Sequence, residues 1–214
     1  MLLTNRLVNR RSRAGRDTRA AIFRAAALEF SSRGYDGAAT ERIAARARVN
    51  KAMLYYHFGS KRALYLAIVH EMIETLAGRL RAIAESTEPA ATKLDTWIAV
   101  IVEEGSARPW FPPIMLRELA SGARHFDASV FQAMNGVVDF VRRIIEQGRE
   151  EGTFRDVDPL LAHLTIMPPI LLFLVRQRVV ASTRAPKGVL VPLPVNQFVH
   201  HMQAAVRGML RKDP

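Results

Sequence analysis

The 214-residue chain is predicted to be all-α: an N-terminal three-helix head, then a larger helical body, about nine helices in all. Three observations predict this. Apolar residues recur at spacings of three and four in segment after segment, no segment carries a convincing period of two, and capping residues and breakers punctuate the chain at helix-length intervals.

Residues 1–15 are polar and Arg-rich without apolar periodicity, and they read as a flexible arm carrying Arg6, Arg10, Arg11 and Arg13, with Arg16 just beyond. Asp17 opens the first helix, in which Ile22, Phe23, Ala26, Ala27 and Phe30 share a face, and Gly34 suits its left-handed cap. Thr40 is the N-cap candidate for a short helix to Ala47. Asn50 is the N-cap candidate for a second short helix, Lys51 to His57, and Ser60 for a long one from Lys61 to about Ala84. In that long helix Leu64, Ile68, Met72 and Leu76 recur every four residues. After Glu88-Pro89 a helix is expected over 91–107, then a short one over 114–121 behind Pro109, Pro112 and Pro113. Asp127 caps a helix to about Glu151. Asp158-Pro159 opens one to about Val180, in which Pro168-Pro169 should force a kink or opening. Residues 182–194 read as a Pro-containing loop in which Val189-Leu190-Val191 is extended at most, and the last helix covers about 195–210.

Composition narrows the function. There is no cysteine, which excludes a disulfide framework, a thiolate metal site and a cysteine nucleophile. The formal net charge is +11, and it is unevenly placed: residues 1–62 hold 14 Lys/Arg against 4 Asp/Glu, whereas the remainder holds 17 against 16. A basic module joined to a nearly neutral one implies a polyanionic partner for the first. The most apolar stretch, Leu164–Val175, falls short of the roughly 20 residues of a spanning helix. The N-terminus lacks the apolar run of a secretory signal, so no membrane partner and a cytoplasmic location are expected.

Two short helices joined by Arg48-Val49-Asn50, on an apolar base from their neighbours, form a helix-turn-helix, whose second helix can enter the major groove of DNA. Lys51, Tyr55, Tyr56 and His57 can meet phosphates or base edges, Ala52 permits close approach, and Leu54 and Phe58 hold the helix on its base.

The stretch from Thr40 to Leu64, and above all Leu54-Tyr55-Tyr56-His57-Phe58 followed by Lys61 and Leu64, resembles the DNA-binding signature of TetR-type transcriptional regulators. The resemblance runs from near Thr18 to about Val69. It implies a phosphate contact for Thr40, base proximity for Lys51 and Ala52, a phosphate or thymine-methyl contact for Tyr55, and a groove position for Tyr56. His57 and Lys61 would each bind a phosphate, Lys61 with the help of a helix N-terminus. Arg48 stands where the family usually has Gly, and Asn50 where it has Ser. Arg48 is strained if the turn needs positive φ, and it is also a candidate phosphate contact. Ala38 and Ala39 replace frequent hydroxyl residues.

For the body the resemblance implies homodimerisation and sensing of an unidentified small apolar or amphipathic effector. The expected division is an arm at 1–15, a DNA-binding head at 16–62 and a ligand-binding and dimerisation body at 63–214. Trp97, Trp110, Phe111, Met115, Phe131, Met134 and Ile166 are candidate pocket residues. The helices over 158–180 and 195–210 are the candidates for the dimer surface, with Phe198, Met202, Ala205 and Met209, in register on the last helix, forming part of it. His200-His201 lacks a further ligand at helical spacing, so no metal is expected, nor any cofactor. His125 and His163 read as structural or pocket-lining, and Glu103-Glu104 and Glu150-Glu151 as solvated pairs. No catalytic triad order, phosphate loop or HExxH motif is present, so no enzyme is expected. The expected function is a DNA-binding regulator, a repressor released from a palindromic operator by its effector. The alternative is a basic adaptor on nucleic acid or membrane surfaces without ligand response.

Overall fold

The computed structural model describes residues 2–182 and 191–212, with side chains from residue 15 onward. Among these residues the chain forms nine helices and no strand: α1 (Leu2–Gly37), α2 (Thr40–Ala47), α3 (Lys51–Phe58), α4 (Lys61–Glu85), α5 (Ala90–Ala107), α6 (Phe111–Ala120), α7 (Ala128–Glu150), α8 (Pro159–Val180) and α9 (Val195–Leu210). A single antiparallel bridge joins Phe154 to Arg211.

The caps expected from sequence close most of the helices. Asn50 accepts from Met53 N at 2.9 Å, Ser60 from Ala63 N at 3.0 Å, and Asp127 from Val130 N at 3.0 Å. Asp158 accepts from both Leu160 N and Leu161 N, at 2.8 and 3.0 Å. These bonds satisfy amides that have no partner inside the helix. Thr40 is different: the cap is Ala39, in extended conformation with no side-chain bond, and Thr40 is the first helical residue.

Three expectations about elements are corrected. Helical backbone begins at Leu2 rather than Asp17, because no proline interrupts residues 2–16 and Leu and Arg are good helix formers. The arginine side chains of the expected arm at positions 6, 10, 11 and 13 lie outside the described residues. Second, α8 runs unbroken through Pro168-Pro169, so its apolar length is the whole of Pro159–Val180, enough to cross a membrane by length and composition alone. Its Ala162, Ile166, Ile170, Phe173 and Leu174 are buried in the body. Third, α6 starts at Phe111, because proline fits the first turn of a helix, where its missing amide costs nothing. Residues 183–190 of the expected loop, with Val189 and Leu190, lie outside the described residues.

The head packs Ile22, Ala26 and Phe30 of α1 against Ile43 of α2 and Leu54 and Phe58 of α3. Gly34 breaks α1 at φ +69°, a conformation glycine adopts without steric penalty. Helix α4 belongs to both parts: its first turns pack on α1, and the rest runs through the body against α5 and α7. α4 and α7 are parallel, since His70 meets Ser129 near their starts and Gln147 donates to the Glu88 carbonyl near their ends. Trp97 and Phe140, both buried, meet edge to face at 5.8 Å in the body's core. Phe198 of α9 stacks on Phe173 of α8 at 3.8 Å.

Of the expected solvated acids, Glu103 and Glu150 are exposed, whereas Glu104 and Glu151 are structural. Glu104 is buried and paired with Arg79 at 2.7 Å and with Arg108, and the Arg79 hydrogen bond foremost holds its carboxyl below the usual range. Glu151 accepts from the Ala90 amide at 3.1 Å.

Candidate nucleic-acid interface and effector cavity

α3 presents a polar outer face because its apolar residues are taken up by the head's core. Leu54 and Phe58 are buried, while Lys51, Ala52 and Tyr55 are exposed and Tyr56 is 81% exposed. Apart from an edge contact with the neighbouring His57 at 5.2 Å between ring centres, this ring takes no part in the described core. Lys51 is not free: it pairs with Glu41 of α2 and lies 5.8 Å from the centre of the Tyr55 ring. The Lys51 hydrogen bond foremost lowers the Glu41 carboxyl, and Glu41 in turn raises the lysine. Both groups are solvent-exposed, so a phosphate can compete for the ammonium.

Arg48 occupies the left-handed region at φ +57°, closing α2 with its amide on the Ala45 carbonyl at 3.1 Å. Its side chain is exposed. Asn50 is exposed and spends its side-chain oxygen on the α3 cap. Thr40 is buried at 7% exposure, with its hydroxyl on Glu41 Oε2 at 3.4 Å. His57 is half-buried, and its Nε2 is without a hydrogen-bond partner. The Lys61 ammonium sits 4.6 Å from the centre of the Tyr35 ring, at the N-terminal end of α4. Sequence reading missed Glu41 as the partner of Lys51, and also the buried Glu29, which receives Arg42 at 2.5 Å and so fastens α1 to α2. Acid and base in each pair are ten or more residues apart, beyond any helical spacing.

In the body a cavity of about 610 Å³ lies between α4, α6, α7 and α8. Met72, Leu76 and Leu80 line it from α4, Phe111, Met115 and Leu119 from α6, Met134, Val137 and Phe140 from α7, and Met167, Pro168 and Leu171 from α8. Of the expected pocket residues, Phe111, Met115 and Met134 are in its wall. Trp97 and Ile166 are fully buried in the core beside it, Trp110 meets Phe23 edge to face at 6.3 Å, and Phe131 is 45% exposed. None of these four lines the cavity: Trp97 and Ile166 face core, of which an apolar side chain on a bundle helix has more to meet than cavity, Trp110 turns to Phe23, and Phe131 lies at the surface. Arg81, Glu85, Arg143 and His163 line it instead, and they are its polar members. Burial pushes the His163 imidazole below its usual range, and its Nδ1 has no hydrogen-bond partner.

The head and the cavity are joined by α6. While Phe111, Met115 and Leu119 face the cavity, Arg117 donates to the carbonyls of Ser31 and, at 3.1 Å, Ser32 in α1. The buried Glu118 accepts from Tyr65 Oη of α4 at 2.8 Å and lies 2.8 Å from His125 Nδ1. His125 Nε2 reaches Asp36 of α1 at 3.5 Å, and its ring packs on Tyr35 at 4.2 Å. Arg178 of α8 donates to Ser31 Oγ at 2.8 Å.

The expected dimer stripe on α9 is turned inward. Phe198 and Met202 are buried at 9% and 7% exposure against this chain's own body, Met209 is half-buried, and only Ala205 is exposed. A terminal amphipathic helix docks its apolar face on its own core first. Among the described residues, an exposed apolar surface lies on α8, where Leu160, Leu161, Leu164, Leu172 and Val179 are exposed. His200 and His201 are both exposed, and among the described residues no cluster of three His, Asp or Glu side chains could hold a metal.

A basic three-helix head with an exposed recognition helix, joined to a helical body with an apolar cavity, defines a helix-turn-helix DNA-binding regulator. Comparison with known proteins places it further. Residues 22–68 match the family described as bacterial regulatory proteins of the tetR family, and residues 91–185 match the tetracyclin repressor-like C-terminal domain. The HTH-type transcriptional repressor NicS of Pseudomonas putida is 32% identical over 155 residues, which are 70% of this chain and 71% of that protein. The HTH-type transcriptional regulator RutR of Escherichia coli K12 is 29% identical over 158 residues, 74% of this chain and 73% of that one. Among solved structures, the ketosteroid transcriptional regulator KstR2 of Mycobacterium tuberculosis superposes with a TM-score of 0.72 at 24% identity, covering 91% of this chain and 95% of that one. A tetR-family regulatory protein from Rhodococcus RHA1 gives 0.74 at 21% identity, covering 92% and 98%. The chain belongs to the TetR family of DNA-binding transcriptional regulators.

Proposed function

We propose that this chain is a repressor that holds a palindromic operator as a homodimer and is released when an effector fills the cavity between α4, α6, α7 and α8. Residues 16–62 form the DNA-reading head, residues 63–214 the sensing and pairing body, and the expected location is the cytoplasm. Lys51, Ala52, Tyr55 and Tyr56 address the groove, and Arg48, His57 and Lys61 the phosphates.

The observation that carries the regulatory part is the double role of α6. A ligand pressing on Met115 and Leu119 displaces the helix that also holds Ser31, Ser32 and Tyr65. A cavity wall and a head anchor on one ten-residue helix cannot move independently. For release, the ligand must bind the displaced state more tightly than the DNA-holding one.

Pairing is assigned to the apolar face of α8, with a second copy of the chain as occupant. Leu161, Leu164, Leu172 and Val179 recur along one side of the helix and are exposed in the single chain. An apolar stripe of that length is rarely left in water. Two-fold pairing doubles the readout of a short recognition helix and matches a palindrome whose half-sites lie roughly 34–36 Å or a multiple apart.

Footprinting of the full chain on its own upstream DNA tests the reading. A protected palindrome is the expected result. Sequence-blind protection that ignores scrambling favours the basic adaptor instead.

A further inference from the structure

The cavity is polar at one end only. Because α4 and α7 run parallel in register, Arg81 and Glu85 of α4 lie level with the stretch of α7 that holds Arg143. α8 runs the opposite way, with Arg178 near its C-terminal end reaching Ser31 of the head, so His163 and Leu164 near its start lie at that same distal end. Near the head the wall is Phe111, Met115 and Leu119, with no charged member among them.

The arginines of this end are uncommitted. Their neighbours Arg79 and Arg142 are paired with Glu104 and Asp139, whereas Arg81 and Arg143 have no ion pair among the described residues. With one carboxylate, Glu85, and a neutral imidazole beside them, the distal end carries a surplus of one positive charge. The His163 Nδ1 is buried there without a partner, an unmet hydrogen-bonding group on the wall of an otherwise apolar space. Pro168 has no amide to offer the carbonyl of Leu164 one turn earlier.

We propose that the effector is an amphipathic organic acid, with its carboxylate between Arg81 and Arg143 and its apolar body extending toward α6. This rests on the reading of the cavity as the effector site. The lining runs from Met72 to Glu85 along α4, about 20 Å at helical rise, so the body is elongated. Arginine suits the head group because its fork matches a carboxylate with two parallel hydrogen bonds. The order of the ends is functional: the acid fixes the ligand far from the head, and the apolar tail reaches Met115 and Leu119 on the helix that grips the head.

Calorimetric titration of the full chain with dodecanoate, dodecanol and dodecylammonium, each below its micellar concentration, tests this. Dodecanoate is expected to bind at least about tenfold tighter than dodecanol, the size of one charge-assisted hydrogen bond, and dodecylammonium weakest. Arg81→Gln with Arg143→Gln should erase the preference for the acid while leaving dodecanol affinity within about twofold, and Arg143→Lys alone should keep part of it. Both arginines are exposed, so the variants retain the fold, checked by an unchanged melting temperature. Equal affinity for acid and alcohol, a preference that survives the double substitution, or no binding of any of the three overturns the proposal. Fluorescence anisotropy on operator DNA separates it from the reading beneath it. Selective acid binding that leaves DNA bound would sink the repressor mechanism alone, and release by the alcohol as readily as by the acid would sink the assignment of the head group alone.

Discussion

Tyr65 Oη donates to the buried carboxylate of Glu118 at 2.8 Å, joining the helix that leaves the head to the helix that walls the cavity. The phenol is raised well above its ordinary range, by burial first and by the acceptor carboxylate second, so it stays a donor at every physiological pH. Tyr65→Phe removes that donor and leaves Glu118 to the amide and ring of His125. The expected loss is about 1–3 kcal/mol in urea denaturation, the cost of an unmet buried acceptor. The same variant should show weaker linkage between effector and DNA, read as a smaller shift of operator affinity at saturating ligand.

Tyr56 is 81% exposed, so Tyr56→Ala should leave the melting temperature unchanged while abolishing the preference for the operator over scrambled duplex. Lys61→Gln should act differently. It should weaken all duplexes alike and flatten the dependence of log affinity on log salt by about one unit for each lysine engaged. A competition assay at several salt concentrations distinguishes the two.

Arg48 holds a left-handed conformation that costs a side-chain-bearing residue about 1–2 kcal/mol. Arg48→Gly recovers part of this against the greater freedom of glycine in the unfolded chain, for an expected stabilisation of about 0.5–1 kcal/mol by chemical denaturation. Loss of the guanidinium should at the same time reduce DNA affinity at low salt.

A β-carbon at Gly148 would lie 2.1 Å from the ring of Phe154, which is itself buried at 5% exposure. The ring cannot swing aside within a packed core, so Gly148→Ala should destabilise by about 1–3 kcal/mol. Thermal melting checks this, and Gly136→Ala on the same helix, where a β-carbon meets open space, is the control, expected to stabilise by about 0.5–1 kcal/mol through helix propensity.

The depressed His163 imidazole gives a pH dependence with a definite sign. The unfolded chain binds a proton there more readily than the folded one, so stability is full above the ordinary histidine range and falls as pH drops below it toward the folded value. His163→Asn should flatten the melting temperature between pH 7 and 5, values chosen to span the ordinary histidine pKa of about 6.5.

Much of the head was legible because its chemistry is local. Asn50 and Ser60 cap helices three residues ahead, and the apolar positions of α3 separate cleanly from Lys51, Tyr55 and Tyr56. The cavity was legible only in part, since residue type does not say whether an apolar side chain faces space or core. Met115 lines the cavity and Ile166 fills the core beside it, on the same kind of pattern. Arg81 and Arg143 were invisible for the opposite reason: on a helix a charged residue reads as solvent-facing, which they are, and their shared level comes only from the α4–α7 register. The α9 stripe pointed to an interface but serves the chain's own core. The helix over 158–180 was the other candidate for pairing, and its leucine content on more than one face, which a single core cannot absorb, is the signal that favours it.

The uneven charge, ten of the eleven surplus positives within the first 62 residues, makes the molecule a strong electric dipole. In the field of a duplex such a body is torqued before contact, so encounters begin with the correct end leading rather than after a rotational search. Arrival should therefore be fast at low ionic strength and slow steeply as counterions screen the field, while departure, set by groove contacts and by whatever occupies the distal cavity, follows its own schedule.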